Sequence, residues 1–353
     1  MEQKKALIAM SGGVDSSVAA HLAMEAGYRC AGATMQLYMA ENAACDPIRD
    51  AQNVTQRLDI PFHILDFRKE FQAEVMDAFA AAYEAGLTPN PCVTCNRYLK
   101  FDRFLKSAKD LGYDTIVTGH YAQVCSCPDS GRYFLQKSVD SGKDQTYFLY
   151  MLTQEQLAAC YFPLGSLTKD QVRQIAAEKG FLNAQKRDSQ DICFIPDGDY
   201  YAFLKRYTGK EYAPGNYLDR NGKVLGTHQG AVAYTIGQRK GLGIALGEPA
   251  YVCAKDMAAN TVTLGSNAEL FHRELFADNC NWMTLPELTE PIRVCAKVRS
   301  RMQEQPATVY PEANGAVRVV FDEPQRAITT GQAAVFYDGD RVVGGGTITA
   351  VGE

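Results

Sequence analysis

Over the first two hundred residues the chain switches between two hydrophobic periods. Residues 6–10 (ALIAM) form an unbroken apolar run that predicts a buried strand. Val18, Leu22 and Ala26 then recur at helical spacing, and Gly27 stands where that helix should stop. Residues 30–35 and 62–65 predict two more strands. Between them Asp46-Pro47 predicts a helix start, and Ile48, Ala51, Val54 and Leu58 form its apolar stripe. Phe71, Val75, Phe79 and Tyr83 line a further helix, and residues 115–117 a short strand. Strands alternating with helices predict a parallel sheet with helices on both faces.

The pattern changes near residue 205. Turn signals such as Pro214-Gly215 and Asn221-Gly222 and a run of glycines predict a small, mostly β central module. From about residue 275 the chain reads as short β runs with hairpin pairs at Asn314-Gly315 and Asp338-Gly339, which fits a small antiparallel barrel. The expected organisation is an α/β domain over 1–205, a β-rich domain over 206–274 and a C-terminal β-barrel over 275–353.

Composition narrows the class. Apolar residues make up 46% of the 353 residues and charged residues 22%, which excludes a disordered or fibrous chain. No apolar run approaches a membrane span, and the first residues hold too short an apolar run for a secretory signal. A soluble, cytoplasmic protein is expected. The eleven cysteines lack the spacing of a secreted disulfide scaffold, so they are expected to be buried, metal-binding or catalytic. The net charge is −5, yet residues 203–240 carry seven Lys/Arg against two acids. Such a face can meet phosphate on an otherwise acidic protein.

The sharpest local signal is Ser11-Gly12-Gly13-Val14-Asp15-Ser16-Ser17, directly after the first strand and at the start of the first helix. Two glycines allow close backbone approach to a polyanion, and the helix start offers free amides. Asp15 is out of place beside phosphate unless a cation bridges it, which implies Mg2+. The Walker A and G-x-G-x-x-G patterns are absent. Two cysteine segments stand in polar, turn-like contexts: Asn90-Pro91-Cys92-Val93-Thr94-Cys95, and Asp188-Ser189-Gln190-Asp191-Ile192-Cys193. From the residues alone they are either reactive thiols or buried structural ones.

SGGxDS resembles the loop of the PP-loop pyrophosphatases, which split ATP between its α and β phosphates. That likeness leaves amide ligation and sulfur insertion open. The segments TPNPCVTCNRYLKF, TGHYA, KDQTYFL, DSQDICFIPDGDY, YTIGQRKGLG and AITTGQAAVFYDGDRVVGGGTI occur in order, and with the loop they resemble the tRNA-specific 2-thiouridylases over essentially the whole chain. The resemblance implies an enzyme that uses ATP to replace O2 of the tRNA wobble uridine with sulfur.

Residue by residue, it implies that Met10, Ser11, Gly12, Gly13, Val14, Asp15, Ser16 and Ser17 hold ATP phosphates. Met35 and Gly119 match adenine-side positions. Cys95 matches the nucleophile and Cys193 the persulfide carrier, with a Cys95–Cys193 disulfide after turnover, and Asp15 is expected to be catalytic as well. Asn90, Pro91 and Cys92 match the stretch that meets the target base. Lys143, Asp144 and Gln145, and Arg299 with Ser300, match tRNA contacts. Arg239 and Lys240, with Lys205 and Arg206, are expected on the tRNA backbone. A cysteine desulfurase or sulfur-relay protein is the implied sulfur donor. Cys92 departs from the aspartate common in the family. It leaves a rival open, a 4Fe-4S cluster on Cys92, Cys95 and Cys193. Two other classes complete the field: an adenylating amide ligase, and a non-catalytic tRNA-binding or redox-sensing protein.

Overall fold

The computed structural model describes residues 3–38, 47–181 and 192–352. The expected cap at Asp46, Cys45, and Asp188 to Asp191 of the second cysteine segment lie outside them. The first domain is built on strands β1 (Lys5–Ala9), β2 (Arg29–Gln36), β3 (Phe62–Asp66) and β4 (Thr115–Val117). A hairpin follows, β5 (Ala122–Ser126) and β6 (Tyr133–Lys137), and then β7 (Cys160–Tyr161). The sheet order is β3-β2-β1-β4-β7, and every pairing is parallel. Apolar clusters cover both faces, one centred on Leu7, Phe71 and Phe104 and the other on Ile8, Val18 and Val54.

The stripe Phe71, Val75, Phe79 and Tyr83 is buried throughout. A strict four-residue spacing drifts by about 40° per step on a 3.6-residue helix. The helix absorbs the drift with a wider π turn over Gln72–Asp77. A second π segment, Asn96–Arg103, directly follows Cys95.

The central strands Gly215–Leu218, Val224–His228, Tyr251–Asp256 and Thr261–Gly265 form a four-stranded sheet. The C-terminal sheet closes where Phe271–Trp282 pairs with both Val317–Arg326 and Arg341–Val351. Its hairpins turn at Asn314 (φ 58°) with Gly315 (φ 74°) and at Gly339 (φ 57°), the left-handed values such turns require. Trp282 stacks on Phe336 inside the barrel, with ring centres 5.7 Å apart. The β5–β6 hairpin leaves the first domain and joins the barrel sheet through Gln136 and Arg341.

Candidate active site

The strand order places a switch point between β1 and β4. From β1 the chain winds outward through β2 and β3 on one side, and β4 and β7 lie on the other. Ligands of open α/β sheets bind outside the strand ends at such a point. The Ser11–Ser17 loop leaves β1 there, and the TGHY segment leaves β4. Gly13 is the extended N-cap of the helix Val14–Glu25, and its side-chain cap is absent, so the first amides are not consumed by a side chain. Gly12 has φ +71°, and a Cβ on it would stand 2.9 Å from both Asp50 and the Pro47 carbonyl. Gly119 is pressed against the same loop, where a Cβ would meet the Asp15 carbonyl carbon at 2.8 Å and the Ser16 amide at 2.9 Å. Ser16 and Ser17 hydroxyls both donate to the Gly13 carbonyl at 3.0 Å, which holds the turn. Met10 is buried and Met35 half-buried at the adjoining ends of β1 and β2. Loop and Gly119 are therefore in contact, and Met35 stands at the neighbouring strand end.

Asp15 has a cation beside it, and that cation belongs to the chain. Lys169 Nζ lies 2.8 Å from each carboxylate oxygen. The Tyr121 hydroxyl donates to Oδ1 at 2.8 Å. Neither residue was singled out in the sequence. The helix that begins at Lys169 is capped by Thr168 and Gln171, both halves of a capping box being formed.

The second locus is a group of three neighbouring cysteines. Asn90 caps the helix Pro91–Cys95, its Oδ1 accepting from the Cys92 amide at 3.2 Å, with Pro91 as the first helical residue. Cys92 is exposed and Cys95 buried. Cys193 is exposed, while the next two residues, Phe194 and Ile195, are each 1% exposed. The Phe194 ring packs on Phe71, Phe79 and Phe203 at 5.1–5.7 Å. A rigid aromatic core thus fixes an open thiol. Cys193 neighbours Cys95 and Cys92. Partial desolvation, reinforced by those two neighbours, pushes its thiol up to about 11. Desolvation also raises Cys92 and Cys95, and the Lys100 ammonium opposes all three shifts. Sequence reasoning passed over Lys100, although it lies on the π segment that follows Cys95.

His120 packs between Phe101 and Phe162, with its Nδ1 2.7 Å from the Thr118 hydroxyl. Burial, then Lys100, hold its pKa well below the ordinary imidazole value, so it is neutral. The chain before Asn90 is held by the barrel. The Thr88 amide donates to the Thr330 carbonyl at 2.9 Å, and the Gln332 side chain donates to the Thr88 carbonyl at 2.8 Å.

The outlying site candidates are spread. Asp144 accepts from the Ser138 amide and the Thr146 hydroxyl, so it braces its own turn. Gln145 is tied to Tyr121. Lys143 is half-buried beside them. Arg299 reaches the carbonyls of Ile236 and Ala327 and the Thr329 hydroxyl, joining central module to barrel, with half-buried Ser300 next to it. Arg239 and Lys240 are exposed on the central module. Lys205 is paired with Glu211 at 2.6 Å.

Among the described residues, no group of three His, Cys, Asp or Glu side chains is arranged to hold a metal ion. No helix of the described residues is long and apolar enough to cross a membrane.

Three family models tile the chain. Residues 4–197 match the tRNA methyl transferase HUP domain, 201–266 the tRNA methyl transferase PRC-barrel domain and 272–348 the aminomethyltransferase β-barrel domain. The tRNA-specific 2-thiouridylase MnmA of Acetivibrio thermocellus is 48% identical over 99% of this chain and 100% of its own length. The namesake from Carboxydothermus hydrogenoformans is 49% identical over 98% of each chain. This chain belongs to the tRNA-specific 2-thiouridylase family. Among solved structures, a 4-thiouridine synthetase–RNA complex with bound ATP aligns at TM-score 0.37 and 16% identity over 57% of this chain and 50% of that one. The NMN synthetase of Francisella tularensis aligns at TM-score 0.36 and 17% identity over 60% and 80%. Members of this family are matched end to end, so the three domains and both loci belong to one enzyme.

Proposed function

We propose that this chain thiolates the wobble uridine of tRNA at the expense of ATP, with Cys193 as the sulfur carrier and Cys95 as the internal nucleophile. The observation that carries this reading is the unequal exposure of two neighbouring thiols. Cys193 is exposed, on a backbone fixed by buried Phe194, while Cys95 is buried.

The target base leaves the anticodon loop, where unstacking costs only a few kcal/mol. Uridine O2 attacks the α phosphorus of ATP, pyrophosphate leaves, and the N3 proton is lost. The loop amides of the Val14–Glu25 helix face the charge that builds on phosphate. The terminal sulfur of a Cys193 persulfide then attacks C2, and AMP departs with the former O2. Cys95 attacks the Cys193 sulfur, the S–S bond to the base breaks, and thiouridine is released with a proton taken up at N3. The two thiols are left as a disulfide, and an external thiol reduces it. The two electrons that reduce the sulfane sulfur thus come from the cysteine pair.

We assign magnesium to the ATP that enters rather than to a protein-built site. A desulfurase or relay protein loads Cys193. The exposed Arg239 and Lys240 supply phosphate contacts, which position tRNA without choosing sequence. The test is product stoichiometry in reactions containing ATP, unmodified tRNA, a desulfurase and cysteine. One AMP and one pyrophosphate per 2-thiouridine supports the reading. AMP formation that does not require tRNA overturns it.

A further inference from the structure

The phosphate loop carries a charge of the wrong sign at its most sensitive place. Asp15 is the second residue of the Val14–Glu25 helix, among the amides that would face nucleotide phosphates. A bare carboxylate there would cancel the attraction of the helix start for a polyanion. Lys169 prevents this. Its Nζ is 2.8 Å from both oxygens, and its side chain is 6% exposed against 30% for Asp15. A lysine so deeply covered is found almost only when paired.

The ammonium is also fixed from behind. Lys169 opens the helix Lys169–Glu178, and its backbone amide donates to Asp140 Oδ2 at 2.9 Å. Its ammonium stands 5.7 Å from the centre of the Tyr121 ring, and the Tyr121 hydroxyl is a further donor to Asp15. Ammonium and carboxylate therefore offset each other, and the carboxylate is the more exposed of the two.

We propose that Lys169 is a positioning residue of the nucleotide site, a resident ammonium that neutralises Asp15 so that the helix start accepts a polyphosphate. The inference rests on the reading that the Ser11–Ser17 loop holds ATP. Lys169 does what a bridging metal ion would otherwise have to do at Asp15. Nucleotide affinity then tracks the net charge of the pair rather than the identity of either residue.

The experiment measures binding of α,β-methylene-ATP with magnesium and without tRNA, by calorimetry on the full chain. Four proteins are compared: wild type, Lys169→Met, Asp15→Asn and the double variant. Expected is an order set by charge. Asp15→Asn binds tightest, wild type and the double variant bind within about threefold of each other, and Lys169→Met is weakest by roughly tenfold, a step of one pairwise charge interaction near the protein surface. Rescue of Lys169→Met by the second substitution is the decisive result, because a merely structural lysine would not be rescued. A double variant as weak as Lys169→Met overturns the proposal. So does an Asp15→Asn protein that loses magnesium-dependent binding, which would make Asp15 a metal ligand. If Lys169→Met fails to fold, Asp15→Asn alone decides, since tighter binding at low salt supports the proposal and weaker binding overturns it. Wild type that binds no nucleotide overturns the loop reading itself, whereas equal binding by all four proteins overturns only the role of Lys169.

Discussion

Gln145 and Tyr121 are joined twice. The Tyr121 amide donates to Gln145 Oε1 at 2.9 Å, and the Gln145 amide donates to the Tyr121 carbonyl at 2.9 Å. Tyr121 in turn donates its hydroxyl to Asp15. The segment expected to touch tRNA and the loop expected to hold ATP are thus separated by one residue.

Gln145→Leu removes the acceptor for a half-buried amide and loosens Tyr121. Losing such a bond costs about 1–3 kcal/mol. The expected result is a rise in KM for both tRNA and ATP in steady-state AMP release. A residue that only touches tRNA would raise the KM for tRNA alone.

The thiol of Cys193, raised to about 11, is protonated at neutral pH. At pH 8 only about one part in a thousand is thiolate, and the fraction grows tenfold per pH unit up to that value. Iodoacetamide labelling of Cys193, followed by peptide mass spectrometry, is expected to accelerate about tenfold per unit between pH 7 and 10. Lys100→Met removes a cation that lowers all three thiols, so labelling slows further at every pH in that range. Labelling already at its plateau at pH 8 would contradict this electrostatic picture.

Phe194→Ala empties the centre of an aromatic cluster and unfastens Cys193 from it. A buried Phe→Ala change costs about 3–5 kcal/mol. Urea denaturation should show that loss. Thiolation should fall more steeply than ATP binding, because the phosphate loop lies in a separate apolar cluster. Phe194→Leu, which refills most of the volume, should recover part of both.

Arg299→Ala leaves the Ile236 and Ala327 carbonyls and the Thr329 hydroxyl without their shared donor. The expected loss is about 2–4 kcal/mol, read as a melting shift of several degrees. Arg299→Lys should recover little, since one ammonium cannot reproduce the planar fork.

Much of this was legible in local sequence. Residues 6–10 foretold β1, and Phe71, Val75, Phe79 and Tyr83 were each placed correctly on one buried face. Their four-residue period already carried the π turn, which a 3.6-residue template hides. The strand Phe271–Trp282 was not legible, because its polar and apolar positions alternate irregularly across two partners, with register shifts on both sides. The loop and the two cysteines were found because each sits in a short polar motif. Lys169 was missed because its meaning depends on Asp15, 154 residues away. Asp15 itself was noticed as anomalous, and the sequence offered only a metal as remedy. Arg299 read as a tRNA contact through resemblance, and only the packed domains reveal its bonds to Ile236 and Ala327.

The proposed function places the transferred sulfur on Cys193. The most direct measurement is sulfur incorporation into unmodified tRNA, with ATP, Mg2+, a cysteine desulfurase and cysteine, run aerobically. Wild type is compared with Cys193→Ala and Cys92→Ala. Thiolation is expected from wild type and Cys92→Ala, and none from Cys193→Ala. Activity confined to anaerobic, iron-loaded protein and destroyed by Cys92→Ala would contradict it.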